Sequence, residues 1–459
     1  MTETAVGSPA RAPWGIYLIG AFAELLFGYD TGIIGTAMLS IKKEFPLTPA
    51  TQGLVVSSLL LGAAIGVGFA GRLADRHGRR PTLLLVGAIF GLGGLVAAVA
   101  PSVAILVLGR LVMGLGVGSS AVVVSVYLIE IAPTRHRGKI GALGQMMVVL
   151  GIMLAYLVGY SLNASGQWRL MLGFTLIPSV LIVCALFFAP ESPRWLVQQG
   201  RDGDARSALA RLGRAATADE ELHELHRVVT TANSNRRSTA DVLREMFSPA
   251  LRRSTAAGVV LAVLAQTVGT NSIVYYAPTT LAHAGFGQAA AVTANISIGV
   301  ANVVFTILGI ALVDRIPRRR LLLFGAIGMT VAQLFLAIYT LLQSGPSVAG
   351  AYATLIGMIV FLSSFAFAWG VLVRVVVSEL FPSAIRGSAS GLVLVLQWFA
   401  NFVVNQFFPE ILATSAALSF GIFAVVGIIA VVFVAKLLPE TGAGKSLEDV
   451  EQAAVQLAR

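Results

Sequence analysis

The chain has 459 residues, 56% hydrophobic and only 12% charged, against about 25% charged in an ordinary soluble domain. That balance argues against a water-soluble enzyme. The surplus of 32 Lys+Arg over 22 Asp+Glu then speaks of membrane topology before it speaks of nucleic acid. One cysteine, Cys184, excludes an internal disulfide framework and any cysteine-built metal cluster.

A helix needs about 20 mostly apolar residues to cross a bilayer. The stretches free of Asp, Glu, Lys and Arg run to 27 residues between Glu44 and Arg72, 29 between Arg80 and Arg110, and 29 between Lys139 and Arg169. Later ones hold 60 residues after Arg253 and 53 after Arg320, each broken by a glycine-bearing turn. In chain order the expected spans are 14–38, 51–73, 81–100, 103–131, 139–161, 168–189, 254–281, 289–313, 320–342, 349–380, 386–409 and 413–437. Residues 1–13 lack a basic leader pattern, so the first span is expected to be retained. An even number of spans puts both termini on one side. Assigning them to the cytoplasm leaves 27 of the 32 basic residues there, as the positive-inside rule requires. The expectation is a multi-pass protein of the cell membrane.

Residues 190–253 differ in character, 20 of 64 being charged. They read as a cytoplasmic linker of two or three short helices, with too few large apolar groups for a core of its own. It divides a six-helix bundle at 1–189 from another at 254–437, and 438–459 forms a cytoplasmic tail. The fold class expected is all-α, with twelve transmembrane helices in two pseudo-symmetric halves.

The halves echo each other. Glu130-Ile-Ala-Pro133 leads to Arg137-Gly138, and Glu379-Leu-Phe-Pro382 leads to Arg386-Gly387, an offset of 249. Asp75-Arg76-His-Gly-Arg79-Arg80 is matched by Asp314-Arg315-Ile-Pro-Arg318-Arg319, and Pro190-Glu191-Ser192 by Pro439-Glu440-Thr441. Topology alone explains the arginines but not the acid–proline–arginine spacing. A duplicated bundle in a membrane is the usual build of an alternating-access transporter.

These residues carry a resemblance. Gly71-Arg-Leu-Ala-Asp75-Arg76-His-Gly78-Arg79-Arg80 resembles the loop motif of the major facilitator superfamily. Phe27-Gly28-Tyr29-Asp30, the two E-x-x-P-x-x-x-R-G runs, Pro190-Glu-Ser-Pro-Arg194-Trp195 and Pro439-Glu-Thr-Gly442 are similar to its sugar porter family. Span five, Gly141 to Tyr160, lacks the proline-bearing motif of drug–proton antiporters.

Ionisable groups inside spans are costly and so functional by default. There are four: Glu24, Asp30, Arg110 and Arg374. Asp30 and Arg110 fall at similar depth and can pair. The resemblance implies that Asp30 accepts the coupling proton and Arg110 tunes it; a structural ion pair is the plainer alternative. At the span ends Asp75, Arg79, Glu130, Arg137, Glu191, Asp314, Arg318, Glu379 and Arg386 would, by the same resemblance, form a cytoplasmic gate.

An uncharged polyol needs amides for its hydroxyl pairs and aromatic faces for its ring. Membrane-depth amides are Gln145, Gln266, Asn271, Asn302, Gln397, Asn401 and Asn405, the last three at i, i+4 spacing. Tyr275 shares a face with Asn271, and the Gly269-Thr270-Asn271 stretch could interrupt span seven. Gln145, Gln266, Asn271, Tyr276, Asn302, Gln397 and Trp398 match the family's sugar-contacting residues, which implies a sugar as substrate. Any one amide could instead be a helix–helix contact. Ala265 stands where the family has a glutamine, Arg374 where it has a tryptophan, and Glu24 where it tends to have glycine. Arg374 could snorkel toward Glu379, pair with Glu24, or bind an acidic substrate.

No nucleophile elbow, nucleotide loop or metal-ligand set appears, so no catalytic activity, cofactor or metal is expected. His223 and His226 read as a solvated face. A transport-derived sensor would carry a long tail, and here about twenty residues follow span twelve. The partners expected are a sugar or polyol, a proton and the lipid bilayer, with no nucleic acid and a monomer as the working unit.

Overall fold

A computed structural model describes residues 14–133, 137–234, 238–313, 315–343, 345–382 and 385–441, of which 137–139, 141 and 231–234 are described by backbone alone. All elements among them are helical. Eleven helices are long and apolar enough to cross a membrane, and the pair Trp14–Ala21 and Ala23–Glu44, bent by 44°, makes a twelfth. The others are Pro49–His77, Arg79–Ala98, Val103–Ile131, Ala142–Asn163, Trp168–Phe188, Arg252–Ala284, Gln288–Leu312, Arg318–Leu342, Val348–Glu379, Arg386–Thr414 and Ala416–Lys436. We number these spans one to twelve. The face bearing residues 190–253 is the linker face, and the other is the far face.

Several far-face starts are capped as their sequences dictate. Thr48, Ser102, Ser347 and Ser415 each accept the backbone N–H three residues on, which satisfies one of the donors a helix start leaves over. The outward sides of the spans carry exposed Leu92, Phe188, Phe324, Leu341 and Val425, the surface that a hydrocarbon solvent accepts. Within the first half, glycines let helices meet at backbone distance. A Cβ at Gly62, Gly114 or Gly118 would strike a main-chain carbonyl of span four or span two.

The first span of each half is interrupted. Span one breaks at Phe22, where Phe22 N–H bonds Ile19 O and Leu25 N–H bonds Phe22 O. Glu24 therefore sits in the first turn of a fresh helix, where the positive end of the peptide dipoles favours a carboxylate. Span seven breaks between Thr267 and Thr270, with Gly269 at φ +88° packed against the Phe423 ring. The sequence pointed to this second break and gave no sign of the first.

The halves meet along three pairs: spans one and seven, two and eleven, and five and eight. On the far face the contact is tight. Gly53 lies against Gln406 O, and Ser57 Oγ donates to Gln406 Oε1 at 2.7 Å. Gln406 Nε2 donates to Ala50 O at 3.1 Å, and a Cβ on Gly35 would come within 2.5 Å of Tyr275 O.

The linker differs from expectation. It holds four helices, Pro193–Gln198, Asp202–Arg211, Ala218–Ser234 and Thr239–Met246, with a 3-10 turn at Ala215–Thr217. The first three share a small core of their own: Trp195, Leu196 and Val197 pack with Ala205, Leu209, Leu222 and Val229. Each helix contributes a stripe too thin to fold alone, and the stripes close on one another.

Candidate functional site

Asp30 and Arg110 meet within the first half, both fully buried. Arg110 Nη1 reaches Asp30 Oδ1 at 2.9 Å and Nη2 reaches Oδ2 at 3.2 Å, a two-pronged pair between spans one and four. The remaining guanidinium donors go to Val55 O and Val56 O of span two. Tyr275 of the opposite half is fully buried in the electrostatic field of this pair.

Between the halves lies a central cavity of about 100 Å³. Gln145, Gln266, Asn271, Asn302, Gln397, Trp398 and Asn401 all line it. Asn271 Nδ2 donates to Gln266 Oε1 at 3.2 Å across the break in span seven, so the interruption aims two amides at one spot. Trp398 presents its ring to Phe27 edge-on at 5.2 Å, joining the halves across the cavity. Its indole N–H is buried without a protein partner among the described residues, a donor free for a ligand. The cavity is small beside the ~300–1,000 Å³ usual for ligand pockets.

Three of the polar residues singled out in the sequence lie elsewhere. Tyr275 is fully buried and does not line the cavity. Tyr276 stacks near Phe408 at 5.1 Å and donates to Asn405 O at 3.4 Å. Asn405 is consumed structurally, accepting from Ser272 Oγ and donating to Asn401. The aromatic lining comes instead from Phe27, Phe365 and Trp369 together with Trp398. Residues Phe365–Trp369 form a π-helical turn inside span ten. Trp369 donates its N–H to Leu322 O at 2.8 Å, which fixes the ring. Only a buried-aromatic pattern could have suggested it.

Glu24 and Arg374 face each other across the halves. Glu24 is buried against Ser120, whose Oγ donates at 3.4 Å, and Arg374 Nη1 stands 4.0 Å from Glu24 Oε2. Arg374 lines the cavity with 38% of its side chain exposed. It does not turn to Glu379, which is held by Arg318 Nε at 3.2 Å.

The span-end charges form matching clusters, one per half. Arg79 Nε bonds Glu130 at 2.9 Å and Arg79 Nη2 meets Asp75 at 3.1 Å; Arg318 bonds Glu379 in the second half. Glu191 accepts the backbone N–H of Arg79 and Arg80, and Glu440 accepts that of Arg319. Arg80 Nε caps span six at Leu186 O, and Arg319 Nε caps span twelve at Val434 O. Burial pushes the Glu191 carboxyl up, while the N–H groups of Ser192, Arg80 and Arg79 pull the other way. Arg386 donates to Phe381 O at 3.2 Å. Asp314 and the side chain of Arg137 lie outside the described residues. Reading charge spacing alone missed Glu440, Arg80 and Arg319 as members.

Comparison with known proteins agrees with this geometry. The family model described as "Sugar (and other) transporter" matches residues 16–454. The chain is 39% identical to the glucose transporter GlcP of Staphylococcus epidermidis, covering 95% of this chain and 96% of that one. It is 34% identical to the arabinose-proton symporter of Bacillus subtilis, over 93% and 92%. Among solved structures, a partially occluded inward-open form of the xylose transporter XylE from E. coli superposes with a TM-score of 0.81, at 29% identity, covering 94% of this chain and 99% of that one. The duplicated six-span halves, the amide-lined cavity between them and the full-length match agree, and the chain belongs to the sugar transporter family of the major facilitator superfamily.

Proposed function

We propose that the chain moves a neutral sugar or polyol across the cell membrane by alternating access, in symport with a proton, with both termini in the cytoplasm. The observation that carries the coupling is the Asp30–Arg110 pair: a carboxylate at membrane depth whose only charged ligand among the described residues is a guanidinium of the same half. Substrate in the cavity pulls span seven, whose Tyr275 carbonyl lies against Gly35 of span one, five residues from Asp30. A shift there loosens the two-pronged contact, and the carboxylate, deprived of its cation in a dry site, takes up a proton. Proton and sugar then cross in one conformational cycle.

The substrate is held by side-chain amides, each offering a donor and an acceptor to vicinal hydroxyls, while Trp398, Trp369 and Phe27 cover the apolar ring face. The far-face contacts at Gly35, Gly53 and Gln406 fit a conformer that delivers toward the linker face. The clusters around Arg79–Glu130 and Arg318–Glu379, with Asp75, Arg137, Glu191, Asp314 and Arg386, form the cytoplasmic gate. They keep the span ends rigid while the halves rock, and they meet across the halves when the far face opens. The cavity is built within one chain, so a monomer suffices. Names of relatives support the reading, one a glucose transporter and another an arabinose-proton symporter.

The test is uptake into proteoliposomes of labelled glucose, xylose, arabinose and myo-inositol, with and without an inward proton gradient. Gradient-driven accumulation of at least one is expected. Asp30→Asn should lose accumulation yet keep downhill exchange. Full uphill uptake by Asp30→Asn would remove Asp30 from the coupling role.

A further inference from the structure

Arg374 puts a full positive charge on the wall of a cavity otherwise lined by amides, rings and other uncharged side chains. Left alone, a cation there selects anions, because every other contact offered is neutral. Its counter-charge is Glu24, which is placed differently. The carboxylate is absent from the cavity wall; its side chain is 2% exposed, lodged between the Ser120 hydroxyl of span four and Gly144 of span five. The break at Phe22 fixes it further, since Glu24 occupies the first turn of the new helix. Glu24 is thus an immobile acid behind a mobile, solvent-touched cation. The Asp30–Arg110 pair is closed on itself, so the charge the cavity presents is set by Glu24 and Arg374 alone among the described residues.

We propose that Glu24 is the specificity-determining counter-ion of the site: by balancing Arg374 it keeps the cavity neutral and excludes carboxylate-bearing sugars. This rests on the reading that the central cavity holds a sugar, and it names the substrate class. A hexuronate carboxylate competes with Glu24 for one guanidinium and draws it toward the cavity, away from Glu24. That would leave a buried carboxylate without a cation, and the loss falls on the acid substrate alone. A neutral sugar leaves the pair in place and takes hydrogen bonds from the guanidinium donors that Glu24 does not use. Rejection is therefore built from a group the substrate never touches, which makes Glu24 a positioning residue and Arg374 the group in contact.

The experiment is direct binding of D-glucose, xylose, arabinose, myo-inositol, D-glucuronate and D-galacturonate to the purified full chain in detergent, by titration calorimetry, for wild type, Glu24→Gln, and Glu24→Gln with Arg374→Gln. Glutamine has the shape of glutamate and keeps an acceptor for Ser120. The Glu24→Gln protein should bind at least one uronate tenfold or more tightly than wild type, and the double variant should lose that gain. Should Glu24→Gln not give monodisperse protein, Glu24→Gly removes the carboxylate without burying a new polar group and carries the same comparison. Wild type binding a uronate as tightly as Glu24→Gln overturns the proposal. So does a Glu24→Gln protein that gains no uronate, or whose gain survives Arg374→Gln. If wild type binds none of the neutral compounds while Glu24→Gln takes a uronate through Arg374, the neutral-substrate reading falls and the role of Glu24 stands. If wild type binds neutral sugars and the variant gains nothing, only the role of Glu24 falls.

Discussion

Two ion pairs hang from span one, and they are made in opposite ways. Asp30 meets Arg110 in a dry, two-pronged contact with both side chains fully buried. Six residues earlier Glu24 meets Arg374 at 4.0 Å, one side chain buried and the other 38% exposed. The first pair joins spans one and four of the same half, each held at backbone distance by a neighbour in that half, span one by span five at Gly28 and Gly32 and span four by span two at Gly114 and Gly118. The second joins the two halves. A pair whose partners keep their separation can be optimised to full hydrogen bonding; a pair whose partners must part in each cycle cannot be so tight without holding the cycle still. Tightness of an intramembrane ion pair thus reports whether its two helices travel together.

The largest effect that tests this contrast is removal of Arg110. Arg110→Gln strands a buried carboxylate and should cost about 3–5 kcal/mol of stability, read by thermal unfolding in detergent. Lysine should restore little, because it lacks the planar fork that serves both carboxylate oxygens and the span-two carbonyls. Arg374→Gln should cost less, about 1.5–2 kcal/mol, since its guanidinium is partly solvated and stands off from the buried Glu24 it leaves behind. Equal losses at the two arginines would break the comparison. Between these extremes, Gly53→Leu should open the far-face seam and depress uptake by roughly an order of magnitude, because overpacking a close contact typically costs about 1–3 kcal/mol. A thiol probe reaching cysteines placed near Ala50 would show the seam parted; unchanged protection would refute the wedge. Smallest is Trp398→Phe, which keeps the ring and deletes the N–H that has no protein partner. Sugar affinity should fall by about fivefold, the worth of one neutral hydrogen bond of ~1 kcal/mol, and uronate discrimination should not change.

Much of this was legible in the chain. The twelve apolar stretches, the duplicated E-x-x-P-x-x-x-R-G runs and the four charges inside spans are local patterns, and a bilayer tolerates few alternatives to the helix. The amides that line the cavity were found because membrane-depth Gln and Asn are scarce. Tyr275 and Tyr276 were harder. Both lie about a turn beyond Asn271 on the same helix, and spacing does not say how far along that helix the cavity reaches. The interruption at Phe22 had only Gly20 beside it in a run where glycines are common, and the π turn at Phe365–Trp369 packs against span nine through Trp369. Arg374 and Glu379 are five residues apart, half a turn out of phase, which is why nearness in sequence did not make them partners. The small core of the linker was hidden because its apolar residues are dispersed over three helices.

The far-face seal has a consequence for how the molecule can be controlled. At Gly35 and Gly53 main chain presses on main chain, with Ser57 and Gln406 as the neutral clasp beside them. Dispersion contacts of that kind are blind to protons and to dissolved salt, and respond instead to temperature and lateral pressure. The crossing of Glu24 and Arg374 toward the linker face is an interaction of charges with one partner open to solvent, so ionic strength acts on it. The two entrances therefore answer to different physical variables. Ionic strength at the linker face tunes one of them, and a change in membrane tension tunes the other.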